Sequence, residues 1–172
     1  APPKDGGAFF HFRHFTKVPE QDILILITPV HSVCGRFLIL TRIYFVRHVE
    51  AEGNLYRICE GQYNGLITLH GKKQLSCVAS YFQTIRLDAI YSSGLYRAHE
   101  TAKAVASASG LPVVSRRALR ELDFGRFEGM SWGDIYERYP EARTQFYEDY
   151  RAFRAPGGES SREAAERQMQ EV

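Results

Sequence analysis

The sequence predicts an α/β chain with a mostly parallel sheet, and three observations carry that prediction. Short apolar runs at 43–46, 88–91 and 112–115 alternate with helical patterns at about 69–85 and 95–109. That alternation of strand and helix favours parallel strands joined by right-handed crossovers. The first run also ends in the pair Arg47-His48, at the C-terminal end of a strand, where open α/β sheets place their ligand chemistry.

The elements follow in order. The apolar segments 23–30 and 37–46 read as two strands. Pro29, His31, Arg36 and Arg42 interrupt them well short of the ~20 clean residues of a membrane span. The late apolar run without a charged lead is also unlike a signal peptide. A polar loop runs through Asn64 and Gly65, and Thr68 caps a helix whose buried stripe is Leu75, Val78, Ala79 and Phe82. The strand at 88–91 leads through the turn Ser92-Ser93 into an Ala-rich helix closed by Gly110 and Pro112. Ser131 to Asp134 reads as a capping box for a helix at 132–139. After the turn Pro156 to Gly158 a polar helix begins and is still running at the last residue. A parallel sheet normally adds a strand after such a helix, so the sequence is expected to lack its C-terminal strand region. The N-terminal strands are expected to fill the resulting gap.

At 172 residues and 44% hydrophobic content the chain has enough material for one core. Residues 1–41 are read as an N-terminal extension of unclear role and 42–172 as the domain. A net charge of +2 with no Lys/Arg cluster argues against a nucleic-acid partner, and the interrupted apolar runs argue against a membrane. Cys34, Cys59 and Cys77 are odd in number and lack metal-ligand spacing. They read as reduced thiols of a cytoplasmic protein, with Cys77 expected to be buried on its helix.

The chemistry gathers around His48. A neutral imidazole flanked by guanidinium groups suits attack on phosphorus, because the ring supplies a lone pair while Arg47 and Arg97 bind the phosphoryl oxygens bidentately. Glu121 is the candidate proton donor to the leaving oxygen. A lone His at a strand end is more often structural, but three accompanying segments reverse that weighting. For Glu121 the competing reading is a surface pair with Arg120 or Arg116, worth ~0–1 kcal/mol.

Four ordered segments, VRHVEAEGN at 46–54, IYSSGLYRAHETA at 90–102, LRELDFGRFEG at 119–129 and PGGES at 156–160, resemble the histidine phosphatase superfamily, in its phosphoglycerate-mutase-like phosphatase branch. The resemblance implies a three-layer α/β/α fold and a metal-independent phosphomonoester hydrolase without cofactor, acting on a small phosphorylated substrate. It implies that His48 is transiently phosphorylated, that Arg47 and Arg97 hold the phosphoryl group, and that Glu121 acts as acid and then base. Asn54 matches the family's polar phosphate contact, and Gly61-Gln62 falls where the family lines its pocket.

The chain also departs from the family pattern. Val49 replaces the Gly that usually follows the nucleophile, and its branched side chain disfavours positive φ. Ile58 and Glu60 stand where Arg and Gln are common, leaving Arg57 as the candidate replacement cation. The family's second His would lie beyond Val172, and its absence is expected to cost on the order of 10²–10⁴-fold in turnover. A phosphoglycerate mutase is the enzyme rival, disfavoured by the compact acid motif. A non-catalytic phospho-ligand binding module is the rival from another class.

Overall fold

The computed structural model describes residues 23–31 and 39–171, with side chains from residue 42 onward. A four-stranded sheet is formed by β1 (Ile23–His31), β2 (Ile39–Arg47), β3 (Ala89–Ser92) and β4 (Val113–Ser115) in the order β2-β1-β3-β4. β3 and β4 pair in parallel, and β1 runs antiparallel to both of its neighbours. Thus β2, β3 and β4 share one direction and β1 opposes them.

Two strands form where the sequence reading expects them at the start of the chain. The first enters the interior of the sheet: Leu26 is in register with Tyr44 on β2 and with Ile90 on β3. β2 begins at Ile39 and so crosses the expected boundary at residue 42. Among the described strands β1 alone joins β2, and therefore His48, to the rest of the sheet. Leu26→Pro removes a ladder donor from a strand paired on both sides, and we expect a clear loss of stability. A urea midpoint unchanged from the parent chain would contradict this placement.

Helices α2 (Leu69–Phe82) and α3 (Tyr96–Ser109) follow the crossover logic, while the short α1 (Glu52–Tyr56) forms within the stretch read as a polar loop. Thr68 caps α2 by accepting from the Gly71 amide at 2.9 Å, and Gly110 ends α3 at φ 70°. The N-terminus of α3 is capped from a distance, because the Tyr96 amide donates to Asn64 Oδ1 at 2.6 Å. Phe82, Ala102 and Val105 of these helices bury against Ile90 of β3, with Tyr44 and Val46 of β2 packed alongside. Cys77 is exposed on α2, which corrects the expectation of a buried thiol; Cys59 is the buried one.

Beyond β4 come two 3-10 turns, Arg117–Leu119 and Gly125–Phe127, then α4 (Trp132–Arg138), α5 (Pro140–Glu148) and α6 (Ser161–Met169). Helix α5 is absent from the sequence reading, which carries no periodicity argument past 139. It starts with Pro at its first turn, where the missing N–H is harmless. Ser131 and Ser160 cap α4 and α6 as their spacing to Asp134 and Glu163 implies. Of the three expected layers, the described residues supply the sheet and the α2–α3 layer. The later helices bury Ile135, Ala142 and Ala164 with Phe127 and Leu122 in a second cluster, while Phe45 on the other face of the sheet stays 55% exposed.

Candidate functional site

β2 ends at Arg47 and delivers His48 to a cavity of about 210 Å³ lined by Arg47, His48, Asn54, Ile58, Glu60, Glu121, Phe124 and Trp132, together with Gly53. His48 Nδ1 lies 2.6 Å from the Val49 carbonyl. A carbonyl only accepts, so Nδ1 carries the proton and the lone pair resides on Nε2. Burial pushes the imidazole down from 6.5 to about 4. The Val49 carbonyl pulls upward, and the charges of Arg97 and Arg47 add to the depression. The ring is therefore neutral across physiological pH.

Val49 is 4% exposed and avoids the left-handed region, since Arg57 is the non-glycine residue with positive φ among those described. The branched residue after His48 is thus accommodated without backbone strain. Its amide donates to Thr101 Oγ1 at 3.1 Å, and that hydroxyl donates to the Arg97 carbonyl at 2.7 Å. The segment after the histidine is tied in this way to the first turns of α3.

Asn54 caps α1 by accepting from the Ala51 amide at 2.9 Å, which leaves its NH₂ as the donor toward the cavity. Glu121, 6% exposed, holds its carboxylate over its own loop by accepting from the Leu122 amide at 2.9 Å. Arg116 pairs instead with Glu171 at 3.3 Å, so the surface-pair reading of Glu121 with Arg116 does not describe the structure.

Arg97 is fully buried on α3. Its guanidinium donates to the carbonyls of Tyr63 at 2.8 Å, Gly61 at 2.6 Å and Glu60 at 3.2 Å. The Glu60 carboxylate lies 3.6 Å from it. A Cβ at Gly53 or at Gly65 would overlap the Glu60 side chain, so these two glycines make room for a carboxylate beside the arginine. Gly61 serves the site through its backbone. Gln62 faces a neighbouring cavity and not the one around His48. Arg57 is exposed, ends α1 at φ 55° and lies outside the lining, so the site lacks the expected replacement cation there. Ile58, whose position is common to the lining, supplies an apolar wall instead.

Sequence reasoning gave no role to Glu128. Its carboxylate accepts from the amides of Gly61 at 3.2 Å, Gln62 at 2.8 Å, Tyr63 at 2.6 Å and Phe124 at 2.9 Å. One side chain thereby gathers the donors of the loop whose carbonyls receive Arg97. The sequence signal was available in its place inside the acid motif, seven residues after Glu121. Glu128→Ala is expected to cost about 1–3 kcal/mol, because three partly buried amides and the more exposed Tyr63 amide are left without their acceptor. Chemical denaturation reads this directly, and a change within experimental scatter would show that the amides find other partners.

Among the described residues no helix is long and apolar enough to cross a membrane. The model of the histidine phosphatase superfamily (branch 1) matches residues 43–172. The chain is 34% identical over 125 residues to phosphoserine phosphatase 1 of Hydrogenobacter thermophilus, covering 70% of this chain and 57% of that protein. It is also 34% identical over 128 residues to a probable phosphoglycerate mutase of Klebsiella pneumoniae, covering 74% and 60%. A mycobacterial glucosyl-3-phosphoglycerate phosphatase superposes with a TM-score of 0.65 at 28% identity, covering 73% of this chain and 58% of the other. The chain thus spans about three fifths of the length of these relatives. The histidine on the end of β2, the buried arginine on α3 and the matched length together assign it: the chain belongs to branch 1 of the histidine phosphatase superfamily.

Proposed function

We propose that the protein is a phosphomonoester hydrolase working through a phosphohistidine at His48. The observation that carries this reading is the Nδ1 contact to the Val49 carbonyl, which commits one ring nitrogen and leaves Nε2 as the nucleophile in the cavity. Nε2 attacks phosphorus, the P–O bond to the leaving group breaks, and Glu121 gives its proton to the departing oxygen. Water then attacks the phosphohistidine, its proton passes to Glu121, and phosphate leaves with Nε2 restored. Arg47 and the Asn54 amide bind the phosphoryl oxygens, and Arg97 contributes positive charge from beneath. Guanidinium and amide donors handle the charge, so this reading calls on no metal or cofactor.

The phosphatases among the relatives support a small phosphomonoester as substrate. The free thiols of Cys59 and Cys77 support a cytoplasmic location. The alternative is a phospho-ligand binding module, favoured by one feature: the Glu60 carboxylate beside Arg97 partly offsets the charge offered to phosphate. The test is p-nitrophenyl phosphate hydrolysis with chelator present, together with trapping of labelled phosphate on the chain under alkaline conditions. Turnover with a trapped phosphohistidine supports the hydrolase. Saturable phosphate binding with neither turnover nor label selects the binding module.

A further inference from the structure

The Pro-Gly-Gly-Glu-Ser turn at 156–160 and helix α6 converge on the loop that carries Glu121. Gly125 and Gly158 let the two segments touch, since a Cβ at Gly158 would overlap the Asp123 carbonyl. The Arg126 amide donates to the Pro156 carbonyl at 2.9 Å, and the Glu159 amide donates to the Asp123 carbonyl at 2.9 Å. The Glu159 carboxylate accepts from the Asp123 amide at 3.0 Å. It is gripped in turn by Arg167, with Nε at 3.2 Å and Nη2 at 2.5 Å. Arg167 spends its remaining donors on the same loop: Nη1 reaches the carbonyls of Ala118 at 2.5 Å and Arg120 at 3.0 Å, and Nη2 reaches that of Glu121 at 3.4 Å. Gln168 adds a second bond to the Arg120 carbonyl at 2.9 Å.

We propose that Arg167 and Glu159 are positioning residues for Glu121, a two-sided clamp that holds the backbone on either side of the acid while touching neither substrate nor the reacting atoms. The carbonyls before and at Glu121 hang on Arg167, and the backbone two residues after it hangs on Glu159. Because one guanidinium fork binds the Glu159 carboxylate and the loop carbonyls together, the two halves of the clamp are one unit. Lysine lacks the planar set of donors needed to do both. The inference rests on the reading of Glu121 as proton donor, and its test keeps the two separable.

A misplaced acid harms departure of a poor leaving group far more than departure of a good one. Arg167→Lys and Glu159→Gln are therefore expected to lower kcat on an alkyl phosphate about 10-fold more than on p-nitrophenyl phosphate, with KM little changed. Glu121→Gln should show the same split, larger, while the exposed α6 variant Arg162→Gln should show none. If Glu121→Gln splits the substrates and the clamp variants slow both equally, the clamp is merely structural and the proposal falls. If Glu121→Gln shows no split, the acid assignment falls and takes the clamp with it. Amide hydrogen exchange reads the clamp without turnover. In Arg167→Lys the amides of Leu122 and Asp123 should exchange at least about 10-fold faster while those of α3 keep their rates. Uniform acceleration, or no change at Leu122 and Asp123, overturns the proposal.

Discussion

Replacement of His48 by alanine is expected to abolish phosphohistidine formation and lower phosphomonoester turnover on the order of 10⁴-fold or more, since among the described residues lining the cavity no other offers a neutral nitrogen lone pair to phosphorus. Labelled-phosphate trapping checks the covalent step, and retained label in the alanine variant would move the nucleophile elsewhere. The same substitution changes acid stability in a predictable direction. His48 ordinarily titrates at 6.5 and in the fold at about 4, chiefly through burial. Between those values the unfolded chain binds the proton and the native chain does not. Native stability therefore rises with pH through that window, and is lost as pH falls through it. The full cost below pH 4 is on the order of 2–3 kcal/mol for this mostly buried ring. His48→Ala removes the titrating group, so the difference in urea midpoint between pH 7 and pH 4.5 should shrink in the variant. An unchanged difference would place the acid sensitivity on other groups.

Arg97→Ala should carry the largest stability loss of any site substitution. The guanidinium is fully buried and serves three carbonyls of the 60–63 loop, with the Glu60 carboxylate beside it. Truncation strands these acceptors and leaves a buried carboxylate without the guanidinium beside it. Breaking a buried charge pair from one side costs about 3–5 kcal/mol. Because the same loop is held from its amide side by Glu128, opening it should also weaken binding of inorganic phosphate. Arg97→Lys should recover less than half of the stability, as one ammonium cannot reach three carbonyls. Denaturation midpoints and phosphate titration check both statements. A stable Arg97→Ala protein that has lost only phosphate affinity would mean that the arginine belongs to the ligand and not to the loop.

Much of the site was legible because its motifs are local. His48 follows an apolar run, Arg97 opens an Ala-rich helix after a strand, and both roles depend on which end of a strand they occupy. Caps were legible for the same reason: Thr68 and Ser131 act within three residues of themselves. Arg57 shows the limit. Its position beside the lost cation at 58 suggested compensation, yet Arg57 is exposed and lies outside the cavity lining. Cys77 shows another, since helical spacing alone does not say which stripe is covered.

By itself the sequence determined the α/β class and the alternation of β2, α2, β3, α3 and β4, because short-range periodicity encodes these directly, and its motif order marked the candidate residues of the site. Tertiary structure alone decided where the N-terminal strand enters the sheet and that Asn64 caps α3. It also decided that Glu128 gathers the 61–63 amides, that Arg97 serves the loop carbonyls, and that α6 grips the acid loop through Arg167. Each of these joins groups tens of residues apart, and the unmet hydrogen-bonding capacity of a buried backbone, which selects such partners, exists only once the chain has closed around it.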